Sequence, residues 1–428
     1  MSAQERYCVI GIKGADIAPE TPVTIWFESL KSAASVLSEE NQKLLSLISK
    51  MKPSTVTELS NMSGRAVSNL SRTIKTLEKY GLIKTEQVGA GLRPTVLYDR
   101  FNIVCGGGVS STEKVKHSLV SMFTGVGGLD MGFEGGFSYK GQKYPIQPFK
   151  TLAAYERDEK CVETIRMNLD IPIHQMELHE GLVEDFPRAD VLIGGFPCQD
   201  FSSCGPKRGL SSERGQLYKV LVQYMKLHRP KVVCAENVPN LARMQGGSVI
   251  KTIIDDFRNE GYKVQVWDLF APDYGVPQSR RRLFFICTRD DLLGEPLKPD
   301  GTFATAHRGT KWAIGDLERI FDETVPNQSQ YFKASKAKKG NGQGDERCRA
   351  DGPSYTIRAN AKSRVQFHYL LNRRLTIREC ARLQTFPDDF VFPHSATTNV
   401  MQIGNAVPPV LSYAVAKSVS QYLDSLDV

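Results

Sequence analysis

The stretch GGFPCQDFSS, residues 194–203, ends the apolar run VLIGG by presenting a cysteine directly after a proline. Cys198 is open to four roles: inert packing, metal ligation, a disulfide or nucleophilic attack. A strand ending at Gly194-Gly195 would put the thiol at the carboxyl edge of a sheet, where α/β proteins place their sites. Two other segments offer partners. KVVCAENVPNL ends a strand-like run in Glu236-Asn237, which brings a carboxylate to the same edge. VPQSRRRLFFI begins one with Gln278, Arg280 and Arg282. Alternate strand residues share a face, so Arg280 and Arg282 point one way and Arg281 the other. The apolar LFFI that follows predicts that at least one arginine reaches into a site.

SMFTGVGGLDMGF, residues 121–133, runs from a strand through glycines into a helix. Such a turn lets backbone N–H groups approach a small anionic or polar ligand. The dinucleotide pattern GxGxxG requires glycine at position 130, where Asp130 stands, so a nicotinamide enzyme is disfavoured and other nucleoside cofactors remain open. The next strand-like run ends in AAYERD. There Glu156 is the candidate to accept hydrogen bonds from ribose hydroxyls, with Asp158 second.

The bulk properties narrow the choice for Cys198. Nine cysteines are scattered along 428 residues without a CxxC, which argues against a disulfide framework and against a structural zinc site. No metal is expected. An apolar share of 41% and a charged share of 24% describe a globular chain with material for two or three domains. No apolar stretch approaches a membrane span and the N-terminus lacks a signal-peptide layout, so a cytoplasmic protein is expected. The net charge of +8 is a mild basic bias, compatible with a polyanionic partner.

These groups need elements to position them. From Ser118 onward, apolar strand-like runs alternate with helical stretches, as in an α/β protein with a central sheet. The strand candidates are HSLVSMF, FKTLAAY, ADVLIGG, PKVVCAE, KVQVWDLF and RRLFFICT. Between roughly residues 290 and 365 the pattern dissolves into a basic, glycine-rich surface segment before TIRECARLQTF and GNAVPPVLSYAVAKSVSQYL restore helices.

The first hundred residues differ. SEENQKLLSLISK is apolar at helical spacing with Ser38 as its cap, and TVTELSNM is a short helix. Ser63 is expected to cap a second helix with Ala66, Leu70, Ile74 and Leu77 as its apolar positions. Its other face carries Arg65, Ser68, Asn69, Arg72 and Lys75. The strand-like runs LIKTEQ and TVLYDRFNI, joined by VGAGLRP, read as a hairpin or wing. This order is similar to a winged helix-turn-helix DNA-binding domain of the kind found in small bacterial transcription regulators. A Gly/Ser-containing linker, GGGVSSTEK, follows.

Taken in order, FTGVGGLD, GGFPCQDFS, ENV, QSRRR, LTIRECARLQTFPD and QIGNAVPP resemble the ordered motifs of the DNA (cytosine-5) methyltransferases. The resemblance spans residues 118 to about 425. It implies an α/β, Rossmann-like S-adenosylmethionine-dependent methyltransferase fold with a small target recognition domain, preceded by the winged helix-turn-helix domain. The expected layout is DNA binding over 1–105, a linker over 106–117, catalytic residues 118–290 and 366–428, and target recognition over 291–365.

By the same resemblance Cys198 adds covalently to C6 of a flipped cytosine, and Glu236 holds the base edge and supplies a proton at N3. Arg282 contacts the base O2, while Arg280 and Gln278 support it or the DNA backbone. Burial is expected to raise the pKa of Glu236. S-adenosylmethionine contacts carry over to Phe123, Gly125, Gly127, Leu129, Glu156, Asn405 and Val407. Where many relatives have Gly-Asp-Ile, this chain reads Gly181-Leu182-Val183, so the usual adenine-contacting aspartate is absent, and either Glu184 or Asp185 replaces it or the backbone alone holds the adenine. Arg347, Arg349, Arg358, Lys362 and Arg364 fall at the recognition-domain position as candidate DNA contacts. The partner implied is double-stranded DNA and not a membrane, in a prokaryotic cytoplasm at the nucleoid. A restriction endonuclease acting on the same site and a homodimer through the N-terminal domain are further partners the resemblance admits. The competing readings are a DNA-binding regulator that has lost methyl transfer, and an RNA cytosine methyltransferase of the same fold.

Overall fold

The computed structural model describes residues 7–12, 23–27, 30–89, 91–98, 100–104, 116–197, 216–333, 346–359 and 365–426. Cys198, Lys362 and Arg364 lie outside these residues, as does most of the expected linker. The chain divides into two units, residues 1–112 and 113–428.

In the first unit, β1 (Tyr7–Ile12), β2 (Ile25–Phe27) and α1 (Leu30–Val36) precede α2 (Glu39–Met51), α3 (Val56–Ser63) and α4 (Val67–Lys79). The hairpin β3 (Ile83–Val88) and β4 (Gly91–Val96) and then β5 (Arg100–Val104) follow. Ser38 and Thr55 cap α2 and α3 by accepting from Asn41 N and Glu58 N. Leu44, Leu45, Ile48, Leu59, Leu70, Ile74 and Leu77 form the core where the helices meet.

Two local expectations change. Ser63 does not cap the second helix, because it closes α3, where its hydroxyl donates to Leu59 O. Gly64, at φ 69°, then turns the chain, and exposed Ala66 occupies the N-cap of α4 with no side-chain cap bond. The wing is also tighter than expected. Val88 pairs with Gly91, so the GLRP expected in the loop belongs to β4. The run TVLYDRFNI divides too, since β5 leaves the hairpin and pairs in parallel with β1 in a sheet ordered β2-β1-β5.

The second unit is built on seven strands. In chain order its elements are β6 (His117–Met122), α5 (Gly128–Glu134), the hairpin β7 (Phe137–Tyr139) and β8 (Gln142–Tyr144), and β9 (Phe149–Glu156). Next come α6 (Glu159–Asn168), β10 (Ile173–Gln175), β11 (Val191–Gly195), α7 (Tyr218–His228), β12 (Val232–Asn237) and α8 (Ser248–Asn259). The remainder are β13 (Tyr262–Phe270), β14 (Arg281–Arg289), α9 (Thr310–Ile314), α10 (Ile377–Leu383), α11 (Ala396–Asn405) and α12 (Pro409–Ser425).

The sheet runs β10-β9-β6-β11-β12-β14-β13. β14 runs opposite to the other six strands. Its strands are nearly continuous apolar runs because both faces are covered. On one face Tyr218, Leu221 and Tyr224 of α7 and Val249, Ile253 and Phe257 of α8 join Val120, Leu192, Val233 and Phe285. On the other, Val410, Leu411, Val415 and Val419 of α12 meet Leu119, Val191, Ile193, Phe284 and Ile286. A third apolar cluster joins Ala313, Ile314, Cys348, Ile357 and Val365 to Ile377, Leu383, Phe386 and Val400, so it runs across position 365.

The strand directions explain where the chemistry gathers. β6, β9, β11 and β12 are parallel, so all four deliver their carboxyl ends to one edge. The antiparallel β14 starts at that edge, with Asn237 opposite Leu283. The beginning of QSRRR therefore reaches the end of ENV.

Candidate active site

A cavity of about 330 Å³ opens at this edge. Its floor comes from the glycine turn after β6, its sides from the ends of β9, β11 and β12, and its far wall from residues 401–407. Gly125 adopts φ 59°, and a Cβ built there would meet nothing within 4 Å, so its missing side chain leaves open space. Phe123 holds the left-handed φ 55° in the same turn, a conformation that costs a non-glycine residue roughly 1–2 kcal/mol. Gly128 serves closeness of packing: a Cβ there would lie 2.3 Å from Val407 O.

Glu156 ends β9 facing this turn. Its Oε2 accepts from Gly125 N at 2.8 Å and its Oε1 from Asp158 N at 2.9 Å. A carboxylate oxygen has room for a further donor, so both remain able to receive a ribose hydroxyl. Burial raises its pKa against the pull of these amides. Asp158 also lines the cavity, and its Oδ1 caps α6 through Cys161 N. Leu129, Asn405 and Val407 complete the set of lining residues read from the sequence.

At the other end of the cavity Glu236 and Arg282 are both nearly buried, 8% and 9% exposed. Arg282 Nε lies 2.5 Å from Glu236 Oε1, while its Nη1 donates to Arg281 O. Arg282 favours the ionised form of Glu236 by both its charge and its hydrogen-bonding contact. Burial drives the Glu236 pKa up, opposed by Arg282 and Arg280, in the direction expected of a carboxyl that must carry a proton. Phe196 and Pro197, which lead to Cys198, line the cavity beside them.

Other site residues do not stand where the sequence put them. Gly127 is absent from the cavity lining, and its missing Cβ accommodates Leu169, whose Cδ1 would lie 2.4 Å away. Arg280 and Gln278 reach neither the cavity nor a DNA backbone, because both are sealed inside the unit. Arg280 donates to the carbonyls of Ile357, Gly404 and Ala406 at 3.1, 2.7 and 3.0 Å. Gln278 donates to Leu383 O and Gln384 Oε1 and accepts from Ile357 N. Neither Glu184 nor Asp185 lines the cavity, and Met176, Glu177 and Leu178 do so on that side.

Arg347 is half-buried, and its Nη1 donates to the carbonyls of His368 and Leu371. Arg349 and Arg358 are exposed. Arg65 precedes α4 instead of lying on it, and pairs with Glu40 at 2.6 Å. Ser68, Asn69, Arg72 and Lys75 are exposed on α4.

Sequence reasoning missed two contributors. Asn237 Nδ2 donates to Phe196 O at 3.2 Å and its Oδ1 accepts from Val238 N, tying the end of β12 to the segment that enters Cys198. Its place beside Glu236 at a strand end was the available signal. Asp130, singled out only for breaking a glycine pattern, is a fully buried carboxylate in the cavity wall.

A family model described as C-5 cytosine-specific DNA methylase matches residues 117–421, which contain the whole cavity. The chain belongs to this family. It is a DNA cytosine-5 methyltransferase and uses S-adenosylmethionine, and the open glycine turn facing Glu156 fits that cofactor. Type II methyltransferase M.NgoFVII of Neisseria gonorrhoeae is 33% identical to this methyltransferase, over 72% of this chain and 87% of the relative. Type II methyltransferase M.FnuDI of Fusobacterium nucleatum is 30% identical, over 71% of this chain and 94% of the relative.

Two solved structures share the fold of the methyltransferase. One is a putative DNA modification methyltransferase encoded within an E. coli prophage, with TM-score 0.54, 21% identity and coverage of 72% of this chain and 99% of that one. The other, S. pombe Dnmt2 methyltransferase, has TM-score 0.54 and 18% identity and covers 73% of this chain and 100% of its own. A second family model, described as HVO_A0114, matches residues 36–103 of the methyltransferase. Among its described residues no helix is long and apolar enough to cross a membrane, and no metal-holding cluster of His, Cys, Asp or Glu occurs.

Proposed function

We propose that this methyltransferase modifies cytosine within a specific duplex sequence through a covalent Cys198–C6 adduct. The observation that carries the reading is the buried Glu236–Arg282 pair in the same cavity as Pro197 and the Gly125–Glu156 turn. C5 of cytosine is a weak nucleophile until C6 is attacked, so a thiolate and an acid are both required. The Cys198 thiolate adds to C6, and the displaced electron pair is stabilised as Glu236 delivers its proton to N3. Arg282 orients the base and keeps Glu236 in place. Phe123, Gly125, Leu129, Glu156, Asn405 and Val407 hold the cofactor, which when bound supplies the electrophilic methyl group for C5. Loss of the C5 proton then expels Cys198 as the thiolate. The target base must leave its stack to enter a cavity of this kind.

The first unit is read as a winged helix-turn-helix DNA-binding domain, supported by the order α3, short turn, α4, hairpin and by exposed Ser68, Asn69, Arg72 and Lys75. It binds DNA separately from the methylation target and regulates transcription. Removing residues 1–105 tests this, since an effect on methylation specificity would show that the unit extends the target contact instead.

The covalent step is tested with duplex DNA carrying 5-fluorocytosine. Fluorine cannot leave as the proton does, so the wild-type chain is trapped in a denaturation-resistant adduct. Cys198→Ser abolishes trapping, and persistence of the adduct in that variant would remove Cys198 from the mechanism.

A further inference from the structure

Asp130 occupies the third position of α5 in the cavity wall and is 0% exposed, so its carboxyl lies just behind the open surface. Neither carboxylate oxygen has a well-formed hydrogen bond among the described residues, and the nearest polar groups are the Ser121 hydroxyl and its own amide. Beside it a short chain of hydroxyls lies in the same cavity wall. Ser121 Oγ lies 3.1 Å from Thr124 Oγ1, which donates to Tyr155 O at 3.2 Å. Each hydroxyl has one proton. When the Thr124 proton goes to the Tyr155 carbonyl, Ser121 supplies the proton of the Ser121–Thr124 contact and offers Asp130 a lone pair, which suits the protonated carboxyl. When Thr124 donates to Ser121 instead, the Ser121 proton is free to turn to the carboxylate, and Tyr155 O keeps the Thr124 amide. The hydroxyl chain therefore has one arrangement for each charge state of Asp130.

From this geometry we infer that Asp130 is a proton-linked charge sensor that distinguishes the cationic cofactor from the uncharged-sulfur product. The inference rests on reading the cavity as the S-adenosylmethionine site. S-adenosylmethionine and S-adenosylhomocysteine share adenosine, amino and carboxylate groups, and differ by a methyl group and the sulfonium charge. In low-dielectric surroundings a positive charge in the cavity favours the Asp130 carboxylate, which gives up its proton to the buffer. Loss of that charge on methyl transfer restores the neutral carboxyl and weakens the hold on the product.

Burial independently holds this carboxyl at about 7, where it can switch near neutrality. The ionisable group acting on it through space is Glu134, one turn along α5, which raises the pKa further. α5 packs against β9, β11 and α12. β9 carries Tyr155, Glu156 and exposed Lys150, α12 carries Tyr413, Tyr422, exposed Lys417 and half-buried Asp424, and β11 carries no ionisable residue. His117 stands at the opposite end of β6 from Ser121, and Asp158, Glu236 and Arg282 face the cavity from its other walls. Glu156 is placed to meet the ribose, common to both ligands, so its titration cancels when the two are compared.

The test is calorimetric titration of the full chain with each ligand at pH 7, in two buffers of different ionisation enthalpy. S-adenosylmethionine binding is expected to release about half a proton more than S-adenosylhomocysteine binding. The affinity ratio of the two ligands rises by up to about tenfold per pH unit below 7 and levels off above it. Asp130→Asn removes both differences. An analogue with an ammonium centre in place of the sulfonium releases the extra proton from the wild-type chain, which tests the idea without any variant. Equal proton release for cationic and neutral ligands, or a difference that survives in Asp130→Asn, overturns the inference while leaving the cofactor site standing. Failure of all three ligands to bind overturns both.

Discussion

Glu236→Gln separates the acid from the rest of the site, because it keeps shape and removes the proton. The side chain is nearly buried, and Arg282 Nε lies 2.5 Å from it. Removing the negative charge leaves the Arg282 guanidinium without its counter-ion. Breaking a buried pair outright costs about 3–5 kcal/mol. Here Gln retains an oxygen toward Arg282, and Arg282 Nη1 keeps its bond to Arg281 O, so a loss of about 1–3 kcal/mol is expected. The rate effect is separate, since removing a positioned acid lowers the chemical step by roughly 10²- to 10⁴-fold. Single-turnover methyl transfer with saturating cofactor measures that step, and thermal unfolding measures the stability cost.

The pH dependence gives an independent check. Burial raises the native pKa of Glu236 above its ordinary 4.5, so the native state binds this proton more tightly than the unfolded chain. The associated stability is complete below about 4.5 and is lost as pH rises through the higher native value. Glu236→Gln flattens that part of the stability profile. A variant that melts a little lower yet transfers methyl within tenfold of the wild-type rate would refute the assignment of Glu236 as the acid.

Three further substitutions probe other parts of the molecule. Arg280→Lys cannot reproduce a fork reaching Ile357, Gly404 and Ala406, so it should cost about 1–3 kcal/mol in thermal unfolding and weaken cofactor binding measured by calorimetry, because two of those carbonyls flank Asn405. Gly125→Ala forces a left-handed residue at a cost of about 1–2 kcal/mol and pushes a methyl into the cavity, so KM for S-adenosylmethionine should rise more than stability falls. Arg72→Ala with Lys75→Ala removes two exposed cations from α4, and if both neutralise phosphates the slope of log affinity against log salt should shrink by about 1.8 in a DNA-binding titration.

Much of the catalytic unit was legible because strand periodicity is a local property. The six apolar runs from HSLVSMF to RRLFFICT are β6, β9, β11, β12, β13 and β14. The alternation in QSRRR also placed its side chains: Arg280 and Arg282 are buried while Arg281 is exposed and pairs with Asp268. What alternation could not say is which buried arginine meets the cavity, since that depends on carbonyls at Ile357, Gly404 and Ala406, distant in sequence. The carbonyls that Arg347 reaches at His368 and Leu371 were hidden for the same reason, since they belong to a turn that no local pattern announces. The three-residue β10 was missed because it is too short to show a period, and Ser63 was misplaced because a serine at the end of one helix looks like a cap for the next.

Three carboxyls, those of buried Asp130 and Glu236 and half-buried Glu156, belong to the walls of one cavity, and their surroundings treat their charges differently. Burial raises all three, so the partners make the distinction. Glu156 receives two backbone amides, which reward the ionised form and suit it to accept from a sugar. Glu236 has a cation in direct contact that opposes the effect of burial, so its balance can move when a base enters and offers a ring nitrogen. Asp130 has neither amide pair nor cation, and its charge therefore depends on what occupies the cavity. On the proposed mechanism a single sheet edge thus carries one acceptor, one acid and one carboxyl that answers to its ligand. What makes this arrangement possible is the reversal of β14, which brings Arg282 to Glu236 while leaving the other two carboxyls without an arginine.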